Sequence, residues 1–179
     1  MDDQEAIERC RAGDKEAFRH VVERYQAEAI GHAIAILGSR EDAMDAVQEA
    51  FIDAFKALDR LDLTRRFYPW FYVILRNRCY KIAGGRKNRD MASVDQMEIL
   101  APTASIQPED TILLERAMLE LPIEDRELIT LKHLDGLSYQ ELAERLQVPP
   151  GPIMSRLYHA RKLLREKLVR YSFAGFSER

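Results

Sequence analysis

The side chains able to do chemistry in this 179-residue chain fall into three groups, and none has the spacing of a catalytic site. The first is acidic. Asp45, Gln48, Glu49 and Asp53 recur at intervals that a helix would gather onto one face. The second interleaves rings with cations: Trp70 and Phe71 lead into Arg76, Arg78, Lys81, Arg86, Lys87 and Arg89. That mixture suits single-stranded nucleic acid, because bases stack on rings while cations follow the backbone. The third is a basic run of Arg156, Arg161, Lys162, Arg165, Lys167 and Arg170, opposed by the single acid Glu166. The chemistry on offer is recognition, not bond-making. No nucleophile motif, paired-carboxylate arrangement or glycine-rich phosphate loop is present in the sequence. His20, His32, His133 and His159 are scattered, and Cys10 and Cys79 stand far apart with no Cys-x-x-Cys, so the spacing fits neither a zinc site nor a disulfide framework. The sequence therefore calls for no cofactor and no metal.

Each group also has a plainer reading. The acidic face can be simple solvation, Trp70 and Phe71 can be core, and the arginines can be solvated surface. Net charge does not decide the matter: the sum is −3, unpromising for a protein that must neutralise phosphates. Distribution says more than the sum, because residues 1 to 60 are rich in Asp and Glu while both basic runs lie downstream. One acidic surface with two basic patches suggests a protein partner and two separate DNA contacts.

The elements that must position these groups are helical. With 46% hydrophobic and 32% charged residues the chain can bury a core. Helical periodicity runs through it, and no segment alternates as a strand would. The strongest stretch is residues 40 to 58, where Ala43, Ala46, Val47, Ala50, Phe51, Ala54, Phe55 and Leu58 form one apolar face, Ser39 serves as N-cap, and Asp42 resembles a capping-box partner. A second helix is expected from Tyr68 to about Ala83, ended by Gly84-Gly85.

Periodicity fades across a segment with Ser93, Pro102, Thr103, Ser105 and Pro108, which reads as a linker. Short helices are expected at 109 to 120 and 123 to 134, broken by Asp135-Gly136. Ser138 and Glu141 then form a capping box for a helix to Leu146, followed by a tight turn at Val148-Pro149-Pro150-Gly151 and a basic helix from Pro152, with Leu157, Ala160 and Leu164 as its core. Helix, turn, basic helix, with Ala143 at the close contact, is the pattern of a helix-turn-helix. The expected architecture is all-α, with domains at 1–88 and 110–171, a flexible linker at 89–109 and a frayed tail at 172–179. No stretch has the roughly 20 apolar residues of a membrane span, and the acidic start, Met1-Asp2-Asp3, is unlike a signal peptide, so a cytoplasmic protein without membrane insertion is expected.

Two linked motifs now carry a resemblance. The stretch Glu41-Asp42-Ala43-Met44-Asp45-Ala46-Val47-Gln48-Glu49-Ala50-Phe51, followed by Phe67-Tyr68-Pro69-Trp70-Phe71 and Arg76-Asn77, resembles region two of extracytoplasmic-function sigma factors. Leu119-Glu120-Leu121-Pro122, Arg126, the run from Gly136 to Ala143 and Ser155-Arg156-Leu157-Tyr158-His159-Ala160-Arg161 resemble region four. The resemblance spans residues 10 to 170. It implies that Asp45, Gln48 and Glu49 face the clamp helices of the largest subunit of RNA polymerase core, with a further contact to the flap. It implies that Asp62, Arg65, Arg66, Phe67, Trp70, Arg76 and Asn77 engage the minus-ten promoter element, and that Ser155, Arg156, His159 and Arg161 meet the minus-thirty-five element. It further implies an anti-sigma factor as partner, promoter-directed transcription initiation as function, and no catalytic residue. The chain departs from the family pattern at Met154 and His159, usually basic, and at Gly151-Pro152, usually Gly-Thr. The competing reading is a transcription regulator with a sensing N-terminal half, which would bind duplex DNA alone; a helical hydrolase is a more distant one.

Overall fold

A computed structural model describes the backbone at residues 1–87 and 108–177, and every described element is helical. The chain divides into two compact units, residues 1–98 and 99–179. The expected linker at 89–109 lies outside the described residues except for its last two positions, which already belong to a helix.

Unit one contains α1 (Asp3–Arg11), α2 (Phe18–Leu37), α3 (Arg40–Lys56) and α4 (Phe67–Lys87), with 3-10 turns at Lys15–Ala17 and Leu58–Arg60. Local chemistry sets the boundaries. Gly38 at φ 68° lets its N–H reach the Ile34 carbonyl at 2.7 Å and stops α2. Ser39 then caps α3 by accepting from the Asp42 N–H at 3.3 Å, with Glu41 and Asp42 at the positive end of the helix dipole. α3 ends two residues sooner than its periodicity suggests, and Leu58 is buried instead from the 3-10 turn. α4 does not end at Gly84-Gly85. Neither glycine takes the positive φ that a left-handed cap requires, so the helix passes through both and continues to Lys87.

The core of unit one joins small residues to rings. Ala29 and Ala33 of α2 and Ala43, Ala46, Ala50 and Ala54 of α3 are fully buried, which allows the two helices a close approach. Against them α4 sets aromatics: Phe51 and Phe71 stack with centroids 4.3 Å apart, Phe67 stacks on Phe71 at 5.5 Å, and Phe18 meets Phe51, Phe55 and Phe67 edge-on. Such pairs add about 0.5–1.5 kcal/mol each beyond the area they bury.

Unit two contains α5 (Pro108–Leu119), α6 (Ile123–His133), α7 (Tyr139–Leu146) and α8 (Pro150–Ser177). Its buried residues are mostly aliphatic: Ala117, Leu121, Leu128, Leu131, Leu142, Ile153, Leu157 and Ala160. Arg126 is buried among them and donates to the carbonyls of Leu119 at 2.8 Å and Leu121 at 3.2 Å, closing the end of α5 and the turn into α6. Ser138 and Glu141 form the expected capping box, with bonds of 3.2 and 2.7 Å. Gln147, at φ 55°, takes the left-handed position that ends α7, a role more often given to glycine. α8 starts at Pro150, two residues before expectation. Pro150 and Pro152 both fall in its first turn, where backbone N–H groups have no intrahelical acceptor to lose. Leu157 and Ala160 are buried as expected, Leu164 only half so. The backbone stays helical into the segment expected to fray, as far as Ser177.

Candidate functional site

On α3 the residues pointing away from the core are Asp45, Gln48 and Glu49, all exposed. They are joined by two large apolar residues that sequence reasoning passed over: Met44 is 51% exposed and Ile52 46%. Met44, Gln48 and Ile52 are spaced i, i+4, i+8, so they form a stripe beside Asp45 and Glu49. The signal was available, since both apolar residues fall out of phase with the buried alanines. Asp45 makes no ion pair or side-chain hydrogen bond among the described residues. Glu49 does: Arg78 of α4 reaches it with Nη1 at 2.6 Å and grips Asp53 with Nε at 2.6 Å and with Nη2. The Asp53 bond first, then the charges of Asp53 and Glu49, hold Arg78 in its charged form. One cation of the expected DNA-binding run is thereby turned to the acidic helix.

The turn before α4 is organised by Asp62, whose Oδ1 accepts from the Thr64 hydroxyl at 2.7 Å and the Thr64 N–H at 3.0 Å. Those bonds hold its carboxyl below the usual range. Asp62 shapes the turn, and Arg65 and Arg66 are the exposed cations on it. Phe67 is 1% exposed and lies in the core, its ring 5.8 Å from that of Trp70 and stacked on Tyr25 at 5.6 Å. Its ring therefore contributes packing under the neighbouring side chains and almost no exposed surface. Trp70 is half-buried and Asn77 exposed, and with Val73 they follow i, i+3, i+7 along one side of α4. Arg76 lies over the Tyr80 ring, 4.6 Å from its centroid, and donates to its hydroxyl at 3.3 Å. Trp70 and Asn77 thus share one side of α4, Arg76 is turned to Tyr80, Arg65 and Arg66 are exposed on the preceding turn, and Phe67 is buried.

α7, the turn at Gln147 and α8 form a helix-turn-helix. Ile153, Leu157 and Ala160 bury one side of α8, while Ser155, Arg156, His159 and Arg161 are exposed. Arg161 donates through Nε to His133 Nε2 at 3.2 Å. That bond needs a neutral imidazole, and burial, with Arg161 and Lys132 nearby, pushes the His133 pKa down. No bond among the described residues engages Arg156 or Ser155 through its side chain. His32 is a buried residue of unit one with Nδ1 2.7 Å from the Tyr68 hydroxyl, and Cys10 and Cys79 are free thiols. Among the described residues no three His, Cys, Asp or Glu side chains cluster as metal ligands, and no helix is long and apolar enough to cross a membrane.

Comparison with known proteins matches both units. Residues 21–88 match the family described as sigma-70 region 2, and residues 111–164 match sigma-70, region 4. The chain is 37% identical to the ECF RNA polymerase sigma-E factor of Escherichia coli K12, over 94% of this chain and 95% of that protein. It is 34% identical to the sigma-E factor of Haemophilus influenzae, over 94% and 96%. Among solved structures it is similar to the sigma factor RpoE of Bartonella quintana, determined with the anti-sigma factor NepR, at 26% identity and a TM-score of 0.68 over 84% of this chain and 96% of that one. CnrH, determined with the cytosolic domain of CnrY, shares the fold at a TM-score of 0.65 and 23% identity, over 94% and 97%.

Proposed function

The chain belongs to the extracytoplasmic-function (ECF) RNA polymerase sigma factors, and from that premise we propose how its surfaces divide the work of promoter recognition. As a member it is an initiation factor and not an enzyme: it binds core RNA polymerase and directs transcription from promoters through sigma-70 regions 2 and 4. Its residues 1–88 and 110–171 act as separable domains. In the first, the outer face of α3 docks on the clamp helices of the largest polymerase subunit. Asp45 and Gln48 supply polar contacts, Met44 and Ile52 supply apolar anchors, and Glu49 is shared with Arg78. Interfaces draw most of their binding energy from a few such desolvated residues. A second contact, to the flap, falls to the helix-turn-helix domain.

The minus-ten element is met by Arg65, Arg66, Trp70, Arg76 and Asn77, on the turn shaped by Asp62 and over the support of Phe67. Capturing an unstacked base there costs a few kcal/mol, and stacking of about 1–3 kcal/mol per base with phosphate contacts offsets it. Strand opening then needs no catalytic side chain. Ser155, Arg156, His159 and Arg161 meet the minus-thirty-five element. The protein works in the cytoplasm beside the polymerase, and an anti-sigma factor holds it inactive, as NepR is bound to its Bartonella relative.

The observation that carries this reading is α8 itself, a helix with one side sealed into a helix-turn-helix core and the other side exposed and basic. Run-off transcription with purified core polymerase tests it. The parent should start transcripts at defined promoters, and Asp45→Lys with Gln48→Ala should lose core binding while keeping its helicity. A double variant that captures core as well as the parent would remove the docking assignment.

A further inference from the structure

The turn that carries Arg65 and Arg66 leaves the core through a single joint. Before the joint, Leu58 and Leu61, each 4% exposed, peg the 3-10 turn Leu58–Arg60 into unit one. After it, the Asp62 turn closes on itself: the Arg65 N–H donates to the Asp62 carbonyl at 3.0 Å, and the Asp62 carboxylate accepts from both the N–H and the hydroxyl of Thr64. Because the peptide bond is planar, only ψ of Leu61, at 125°, and φ of Asp62 lie between these two fixed pieces. The direction of the Leu61 carbonyl follows that ψ, so a group that holds the carbonyl holds the joint.

Arg11, the last residue of α1, is that group. From 50 positions earlier its Nη2 donates to the Leu61 carbonyl, while Nε and Nη2 donate to the Leu58 carbonyl at 3.2 and 2.5 Å. One acceptor belongs to the 3-10 turn and the other to the joint. A planar guanidinium with fixed donor directions spans both, and so sets one carbonyl against the other. Resting on the assignment of Arg65 and Arg66 to the minus-ten element, we infer that Arg11 is a positioning residue for that element. It contacts no base; it fixes the angle at which the turn leaves the core. Recognition by several side chains at once needs them held within about 0.5 Å, and rotation at Leu61 would swing Arg65 and Arg66 away from Trp70 and Asn77 of α4. α1 thereby belongs to the promoter-reading apparatus although it carries none of the residues assigned to DNA.

The test uses holoenzyme made with the full chain and fork-junction templates whose nontemplate minus-ten strand is unpaired. The preferred strand is selected from a randomised pool, and each of its bases is then replaced singly. At positions the turn reads, the parent should favour the selected base by about tenfold, the scale of a single mismatch. Arg11→Ala should lose most of that preference. Arg11→Lys, which keeps the charge but not the fork, should lose part of it, and carries the test alone if Arg11→Ala does not fold. Ile36→Val, a core substitution about five turns along α2 from Phe18, should keep the preference, which separates positioning from general loss of stability. In the free chain, hydrogen exchange at the Thr64 and Arg65 amides should quicken in the Arg11 variants and not in Ile36→Val. Unchanged exchange, or unchanged base preference in both Arg11 variants, overturns the inference. So does a shallower salt dependence in Arg11→Ala with base preference intact, which would make Arg11 a phosphate contact. The parent assignment is judged separately with Arg65→Ala plus Arg66→Ala. If that pair keeps the base preference, the turn does not read the minus-ten element and both fall; if the pair loses it while the Arg11 variants do not, only the inference falls.

Discussion

α4 and α8 are both helices with an apolar side and a basic side, yet they treat their charge differently. On α4 two of the cations are already engaged: Arg78 by Glu49 and Asp53 of α3, and Arg76 by the Tyr80 ring. On α8 the side chain of Arg156 has no bond among the described residues, and Arg161 has only a neutral histidine. Pre-engaged charge lowers the attraction of a surface for any polyanion and shifts the burden of recognition to rings such as Trp70. Open charge does the reverse. The difference matches a division between capturing a base from a melted strand and seating a helix in a closed duplex.

The harshest way to test the separation of the two regions is to remove a core residue from one. Phe71→Ala deletes a ring stacked on both Phe51 and Phe67, and should cost unit one about 3–5 kcal/mol, while unit two melts as before. Calorimetry of the full chain should show one transition moving and one staying. If both move together, the two units are not energetically separate.

A sharper and smaller effect concerns charge. Arg156→Ala should lower the slope of log affinity for promoter duplex against log salt by about 1, as for any phosphate contact removed. Arg78→Ala should leave that slope unchanged and cost unit one at most about 1 kcal/mol, because its pairs are partly exposed. A fall in slope for Arg78→Ala on single-stranded minus-ten DNA would mean that its ion pairs open on binding, and the contrast between α4 and α8 would dissolve.

The smallest effect is set by pH. The Glu141 carboxyl accepts from the Ser138 N–H, which holds it below its usual 4.5. Its contribution is therefore complete above 4.5 and is lost as pH falls through the lower, folded value. Glu141→Gln should flatten the acid limb of unit two's melting curve and leave that of unit one, where Asp62 is lowered in the same way by Thr64, untouched. An acid limb identical to the parent's would show that the capping box does not govern it.

The sequence alone determined much of this. The spacing of Ala43, Ala46, Ala50 and Ala54 dictated a helix with one buried face, Ser138 and Glu141 dictated where α7 begins, and the linked motifs identified the family. These signals are local, carried by residues within a turn or two of one another, and local periodicity survives folding. The glycines at 84 and 85 misled because a C-cap depends on φ, which a glycine permits without enforcing. What only the tertiary structure decided is which side chains of each motif remain available. Phe67 sits among the site candidates in sequence, yet Phe18 and Tyr25 of α2 pack against it and it is buried. Arg78 belongs to a basic run in sequence, yet Glu49 and Asp53, more than twenty residues earlier, claim it. Met44, Ile52, Met154 and Tyr158 look like core residues by type and are exposed because the opposite sides of their helices are the ones that fill the cores. Each of these outcomes depends on contacts distant in sequence, and such contacts exist only once the helices have packed.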